Sequence, residues 1–324
     1  YLGVIEKRKR DILDAFNDLI KNPNNVSSDI HKRILQFYSE KTEIIRAKNR
    51  LRFQWGMREK FKKSLERMRP YYFYVVEEIK NCGLPEEIAF LPLVESGYNL
   101  YNVSKVGAVG LWQFMPNVAR KYGLVINNFI DERQDIFKST LAACKYLKES
   151  YDEFKNWPLA ITSYNHGVEG IRNAVKIFGN DYLAIWQNYR GPFFKFASRN
   201  FYPSFLAAVR VAKDYLTENP IKEDEIYEFD EYILNDYKPL KTLLKELNLH
   251  PADFLKDNPE YLSDALLYNL ILKPGTKIKI GKPEKIKFHY VRRGDTYAKL
   301  RKIYGNINTS QKLIPGEKIF LENY

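Results

Sequence analysis

The stretch from Leu84 to Pro116 constrains this chain more than any other. It opens Leu84-Pro85-Glu86-Glu87-Ile88-Ala89-Phe90-Leu91-Pro92-Leu93-Val94-Glu95-Ser96-Gly97 and ends Gly107-Ala108-Val109-Gly110-Leu111-Trp112-Gln113-Phe114-Met115-Pro116. Pro85 suits a first helical position, and Glu86 and Glu87 suit the positive end of a helix dipole. Ile88, Leu91 and Glu95 recur at i, i+3 and i+7, which predicts a carboxylate on the apolar face of one helix. Gly97 suits a left-handed stop just beyond it. Desolvation and the negative helix end both disfavour a charged carboxylate, so Glu95 is expected to ionise late. A carboxyl group still protonated near neutral pH is a general acid. A lone Glu at a helix end more often simply finds a hydrogen-bond partner. The Gly-rich segment carrying Trp112 and Gln113 turns the reading toward a ligand site, because isolated polar groups in apolar settings build such sites.

A length of 324 residues allows two or more domains. No run of about 18 apolar residues is present, so no membrane-spanning helix is expected. The net charge of +12 is uneven: residues 1–70 hold 18 Lys and Arg against 9 Asp and Glu. Such a basic helical arm suits an anionic polymer or surface, or is a solvated face without a partner. Nucleic acid is not favoured, since zinc-finger spacing, RNP-like strands and a helix-turn-helix are missing. Cys82 and Cys144 are the only cysteines. Both fall in apolar helical contexts, and two buried thiols or one disulfide fit equally. His31, His166, His250 and His289 are scattered, so neither a metal site nor a nucleophile triad is expected, and no cofactor.

Taken in order, residues 1–70 read as charged helices with apolar spacing: Ile12, Phe16 and Leu19, then Ile34, Phe37, Ile44, Ile45, Leu51 and Trp55. Asn22-Pro23-Asn24-Asn25 breaks the first from the second, which Ser27 or Ser28 can cap. Residues 71–80 continue as an amphipathic helix ending at Asn81-Cys82-Gly83. Residues 100–111 suit a tight turn or hairpin over a cleft, and Leu111 to Tyr122 reads as helix. Asp131 to Asp135 caps a helix over 136–154. Trp157 to Gly167 is an apolar helix presenting Tyr164 and Asn165 at its end, and Tyr202 precedes a helix reaching about Tyr215. Beyond Pro220 the texture changes to short strands and helices. Pro-Gly-x-Lys-Ile recurs at 274–278 and 315–319, an internal repeat of a small βααβ-type unit.

Three motifs stand in one order: Glu95-Ser96-Gly97 with Gly107 to Pro116, then Ser163-Tyr164-Asn165-His166-Gly167, then Tyr202-Pro203. Over about residues 66–217 this resembles the soluble-lytic-transglycosylase family of lysozyme-like enzymes, above all its membrane-bound lytic transglycosylase D group. The repeats resemble LysM modules, carried by Tyr290-Val291-Arg292-Arg293-Gly294-Asp295-Thr296. The resemblance implies a mainly α (α+β) chain. It would comprise a lysozyme-like domain at 66–219, a diverged LysM-like module at 222–282 and a short one at 286–324, after a basic helical region at 1–65 that the resemblance does not cover. It implies catalysis by Glu95 and glycan contacts from Ser104, Gln113, Met115, Tyr164, Asn165 and Tyr202. The implied partner is the peptidoglycan glycan strand. The implied location is the periplasm or cell envelope, with a signal peptide removed or lying outside this sequence. The implied reaction cleaves the MurNAc-β-1,4-GlcNAc bond without water and leaves 1,6-anhydro ends.

Residue chemistry bears on that reaction separately. Glycosidases ordinarily use two carboxylates flanking the bond, yet the segment from Ser104 to Pro116 offers no second acid. One carboxyl suffices if the substrate supplies its own nucleophile, with Glu95 acting as acid and then as base. The competing expectations are a goose-type lysozyme-like hydrolase activating water through Asp131 or Asp135, and a catalytically inactive wall-binding protein.

Overall fold

The computed structural model describes residues 2–51, 57–283, 287–305, 307 and 311–321. Trp55 lies outside the described residues. The chain divides into two compact units, Tyr1–Phe61 and Lys62–Tyr324. In the first, helices Leu2–Lys21, Asp29–Leu35 and Lys41–Asn49 bury Ala15, Phe16, Leu19, Ile34 and Ile44. Ser28 is the cap of the second helix, its hydroxyl accepting the His31 N–H at 3.3 Å. Helix Met57–Met68 crosses the division between the units.

The second unit begins its core with helix Tyr72–Asn81. The single helix predicted over 84–95 is two pieces: a 3-10 turn, Glu86–Phe90, then a short α-helix, Leu91–Glu95. Pro92 explains the division, because it has no N–H and belongs in a first helical turn. Pro85 stands just outside the 3-10 turn. The segment 100–114 forms the expected hairpin, through bridges Val103↔Val109 and Val109↔Phe114. Helix resumes only at Pro116–Lys121, so the helix expected from Leu111 starts five residues late. Helices Ile136–Phe154, Trp157–His166, Val168–Phe178, Tyr182–Asn188 and Phe196–Glu218 follow. The last runs through Pro203, so Tyr202 lies inside a helix rather than before one. The helix Phe196–Glu218 packs on both Leu91–Glu95 and Trp157–His166.

Beyond residue 220 two small sheets carry the ends of the first repeat. Strand Phe229–Ile233 pairs antiparallel with Lys277–Gly281, in register Tyr232↔Ile278, and Lys238–Pro239 pairs with Ile271–Leu272. The first strand begins at Phe229, three residues later than the Ile226 start read from the sequence. Between the paired strands lie three helices, Leu240–Glu246, Pro251–Asp257 and Ser263–Leu267, one more than a βααβ unit has. The second repeat pairs Phe288–Tyr290 with Lys318–Phe320 around helix Tyr297–Tyr304. No second helix occurs there among the described residues. In both copies of Pro-Gly-x-Lys-Ile the glycine has positive φ (Gly275 +81°, Gly316 +89°). The isoleucine of each, Ile278 and Ile319, is buried in the closing strand. The repeat is therefore a turn that only glycine makes without strain, feeding an inward-facing strand residue. The second copy shares its core with the first, Ala252 packing among Val291, Leu300, Tyr304 and Ile319.

Candidate active site

Glu95 is the last residue of the helix Leu91–Glu95, whose Leu91, Pro92 and Leu93 are buried. The chain leaves through Gly97 (φ +62°) and Tyr98 (φ +57°). Arg67 fixes that exit, its Nε donating to the Gly97 carbonyl at 2.8 Å and its Nη2 to Ser64 Oγ at 3.2 Å. A Cβ on Gly97 would stand 2.6 Å from Ser64 Oγ, so the residue is glycine for space as well as for conformation. Glu95 itself is half-buried. Burial lifts its carboxyl to about 8, as the sequence predicts.

The loop over residues 100–115 is built from within. Ser104 Oγ accepts the Ala108 N–H at 2.9 Å. Gln113 adopts φ +51°, a conformation costly for a side chain with a Cβ. Its amide Nε2 holds the turn by donating to Gly110 O at 2.9 Å and Asn102 O at 3.1 Å. Both bonds use the amide nitrogen, so the side-chain oxygen remains as an acceptor. Met115 is 37% exposed beside buried Phe114. Trp112, fully buried, donates from Nε1 to Thr140 Oγ1 at 2.9 Å and so pins the loop to helix Ile136–Phe154.

Tyr164 joins this loop to Glu95. Its hydroxyl donates to the Trp112 carbonyl at 2.8 Å, and its ring lies against Phe114 and Tyr146, centroids 6.0 and 5.0 Å away. Burial, then the nearby Glu95 carboxylate, pushes the Tyr164 phenol well above its ordinary value. The Tyr164 hydroxyl proton is thus held by a backbone carbonyl of the loop. Asn165 Oδ1 accepts from Ser198 Oγ at 3.0 Å, tying its helix to Phe196–Glu218 and leaving the amide N–H groups available. Tyr202, one turn further along that helix, is half-buried with its ring edge-on to Tyr182, centroids 5.2 Å apart.

The two aspartates weighed for water activation are committed elsewhere. Asp131 is buried and grips fully buried Arg133 with both oxygens, at 2.6 and 2.8 Å. Arg133 in turn donates to Gly107 O and Phe114 O, at 3.0 and 3.1 Å. Asp135 caps helix Ile136–Phe154, accepting from the Phe137 and Lys138 N–H groups at 2.8 and 2.9 Å, and pairs with Lys279 at 2.8 Å. Arg133 and Thr140 are the supports the sequence reading passed over. Arg133 was legible only as one member of a charged cluster. Among the described residues no group of His, Cys, Asp and Glu could hold a metal.

Residues 76–184 match the Transglycosylase SLT domain family. The SLT match takes in Glu95, the 100–115 loop, Tyr164 and Asn165, and stops short of Tyr202. The membrane-bound lytic murein transglycosylase D of Escherichia coli is 32% identical over 111 residues, 34% of this chain and 25% of that protein. A protein of Alteromonas sp. named for tributyltin chloride resistance is 35% identical over 115 residues, 35% of this chain and 56% of its own length. The chain thus spans from a quarter to just over half the length of these relatives. The solved lytic transglycosylase Slt of Pseudomonas aeruginosa is 20% identical with a TM-score of 0.35, covering 61% of this chain and 32% of that one.

Proposed function

We propose that the chain is a peptidoglycan lytic transglycosylase of the cell envelope. It cleaves the MurNAc-β-1,4-GlcNAc bond without water and leaves 1,6-anhydroMurNAc ends. The observation that carries this reading is one half-buried carboxyl, lifted to about 8 inside an SLT-matching segment, while Asp131 and Asp135 are held in a buried ion pair and a helix cap. At neutral pH Glu95 holds its proton and can protonate the departing glycosidic oxygen. The substrate's own acetamido group offsets charge at the anomeric carbon. The resulting Glu95 carboxylate then takes the proton of the muramic 6-hydroxyl as that oxygen closes on the anomeric carbon. No water enters the balance.

Ser104, the Gln113 side-chain oxygen, the Asn165 amide and the Met115 side chain are proposed as sugar contacts. Tyr202, whose phenol is not taken up by backbone, is the proposed positioning hydroxyl; Tyr164 shapes and dries the wall. The regions 222–282 and 286–324 are proposed as LysM-like glycan-binding modules. Incubating purified sacculi with the chain and weighing the released muropeptides tests the reading. Anhydro ends are expected, and Glu95→Gln is expected to lower the rate at least about a hundredfold. Reducing ends would replace the proposal with the hydrolase, and no release with a binding protein.

A further inference from the structure

Helix Tyr72–Asn81 packs against helix Ile136–Phe154, and the two cysteines of the chain meet where they touch. The Cys82 N–H donates to the Glu78 carbonyl at 3.0 Å. The Cys144 thiol donates to the same oxygen at 3.9 Å, so both residues converge on one carbonyl. Both are free, Cys82 half-buried and Cys144 buried. Neither takes part in the acid–base chemistry above. Between them in sequence lie Glu95, Ser104, Gln113 and Met115.

We propose that Cys82 and Cys144 are a cross-linking pair, which an external disulfide converts into an intrachain bond tying these helices together and closing residues 82–144 into a loop. The thiolate of Cys82, the more accessible partner, attacks the donor disulfide, and one donor thiol leaves. Cys144, whose thiol burial pushes up, then gives its proton to solvent and attacks the Cys82 sulfur, and the second donor thiol leaves. Two electrons and two protons pass from the chain to the donor, an organic disulfide such as oxidised glutathione. The bond restricts the unfolded chain and stabilises the segment that carries the catalytic carboxyl. The inference rests on side-chain placement alone and is independent of the cleavage reading.

The 324-residue chain is equilibrated with oxidised or reduced glutathione, and iodoacetamide then caps remaining thiols under denaturing conditions. After oxidation the monomer is expected to be lighter by about 2 Da, with neither cysteine alkylated and one peptide pair joining Cys82 to Cys144. Its Tm is expected to rise by roughly 5–10 °C over the reduced chain. Cys82→Ser should ignore the oxidant, Cys144→Ser should stop at a single glutathione held on Cys82, and neither should gain Tm on oxidation. A glutathione left on Cys82 with Cys144 still alkylated would overturn the pairing, as would linkage only between two chains. An oxidised chain no more stable than the reduced one would overturn the bracing.

Discussion

A carboxyl lifted from the ordinary 4.5 to about 8 works as an acid in the range where its neighbours work as bases. Glu95 reaches that state by burial, which penalises the charge. The folded chain therefore binds a proton that the unfolded chain has released between those two values. Folding stability contributed by protonated Glu95 is complete below about 4.5 and is lost as pH rises toward about 8. Glu95→Gln, which cannot ionise, is thus expected to be more stable than the parent at pH 8, by about 2 kcal/mol because the side chain keeps some solvent, and equal to it at pH 4. Thermal melts at the two pH values check this. The rate of sugar release should fall above about pH 8 as the acid is lost. Tyr202→Phe removes one hydroxyl and no packing. It is expected to lower the turnover number about 10- to 100-fold while leaving the Tm unchanged; a changed Tm with an unchanged rate would make Tyr202 structural.

Among elements, the hairpin over 100–114 is the most constrained. Its turn is pressed so closely on the next segment that a Cβ on Gly110 would lie 1.8 Å from the Arg133 carbonyl. Arg133 then clasps the same hairpin through Gly107 and Phe114, with Asp131 neutralising it. A buried pair broken on one side leaves a bare charge. Asp131→Asn is therefore expected to cost about 3–5 kcal/mol, read as a lower denaturant midpoint, with anhydro products persisting in whatever folds. Loss of reducing-end products instead would assign Asp131 to water activation. Pro203 shows the reverse situation. An interior proline ordinarily breaks a helix, but Phe196–Glu218 continues through it because its buried residues Phe201, Phe205 and Ala208 are held by packing.

At the scale of the molecule, the regions after Pro220 are not carried on a free tether. Arg69 pairs with Glu225, Nε to Oε1 at 2.9 Å. Phe229 packs on Phe137 and Tyr74, centroids 5.5 and 6.0 Å away. Tyr290 stacks on Tyr101 at 4.5 Å, six residues beyond Glu95. A chain ending at Asn219 would expose these aromatic faces, and its Tm is expected to fall by more than about 5 °C. A thermal melt of the shortened chain beside the parent decides this.

The sequence alone determined what depends on local order. The lone carboxyl before Gly97, the helix Ile136–Phe154 with its Asp135 cap, the hairpin and the two Pro-Gly-x-Lys-Ile turns follow from spacing, capping and glycine conformation. The tertiary structure decided what depends on partners far along the chain. It gave the Tyr164 phenol to the Trp112 carbonyl, brought Lys279 onto Asp135 and the hairpin carbonyls onto Arg133, carried a helix through Pro203 and set Cys82 beside Cys144. Periodicity reports which face of an element is apolar. It cannot report which distant group occupies a hydrogen bond or an ion pair, because that is fixed only when the elements pack.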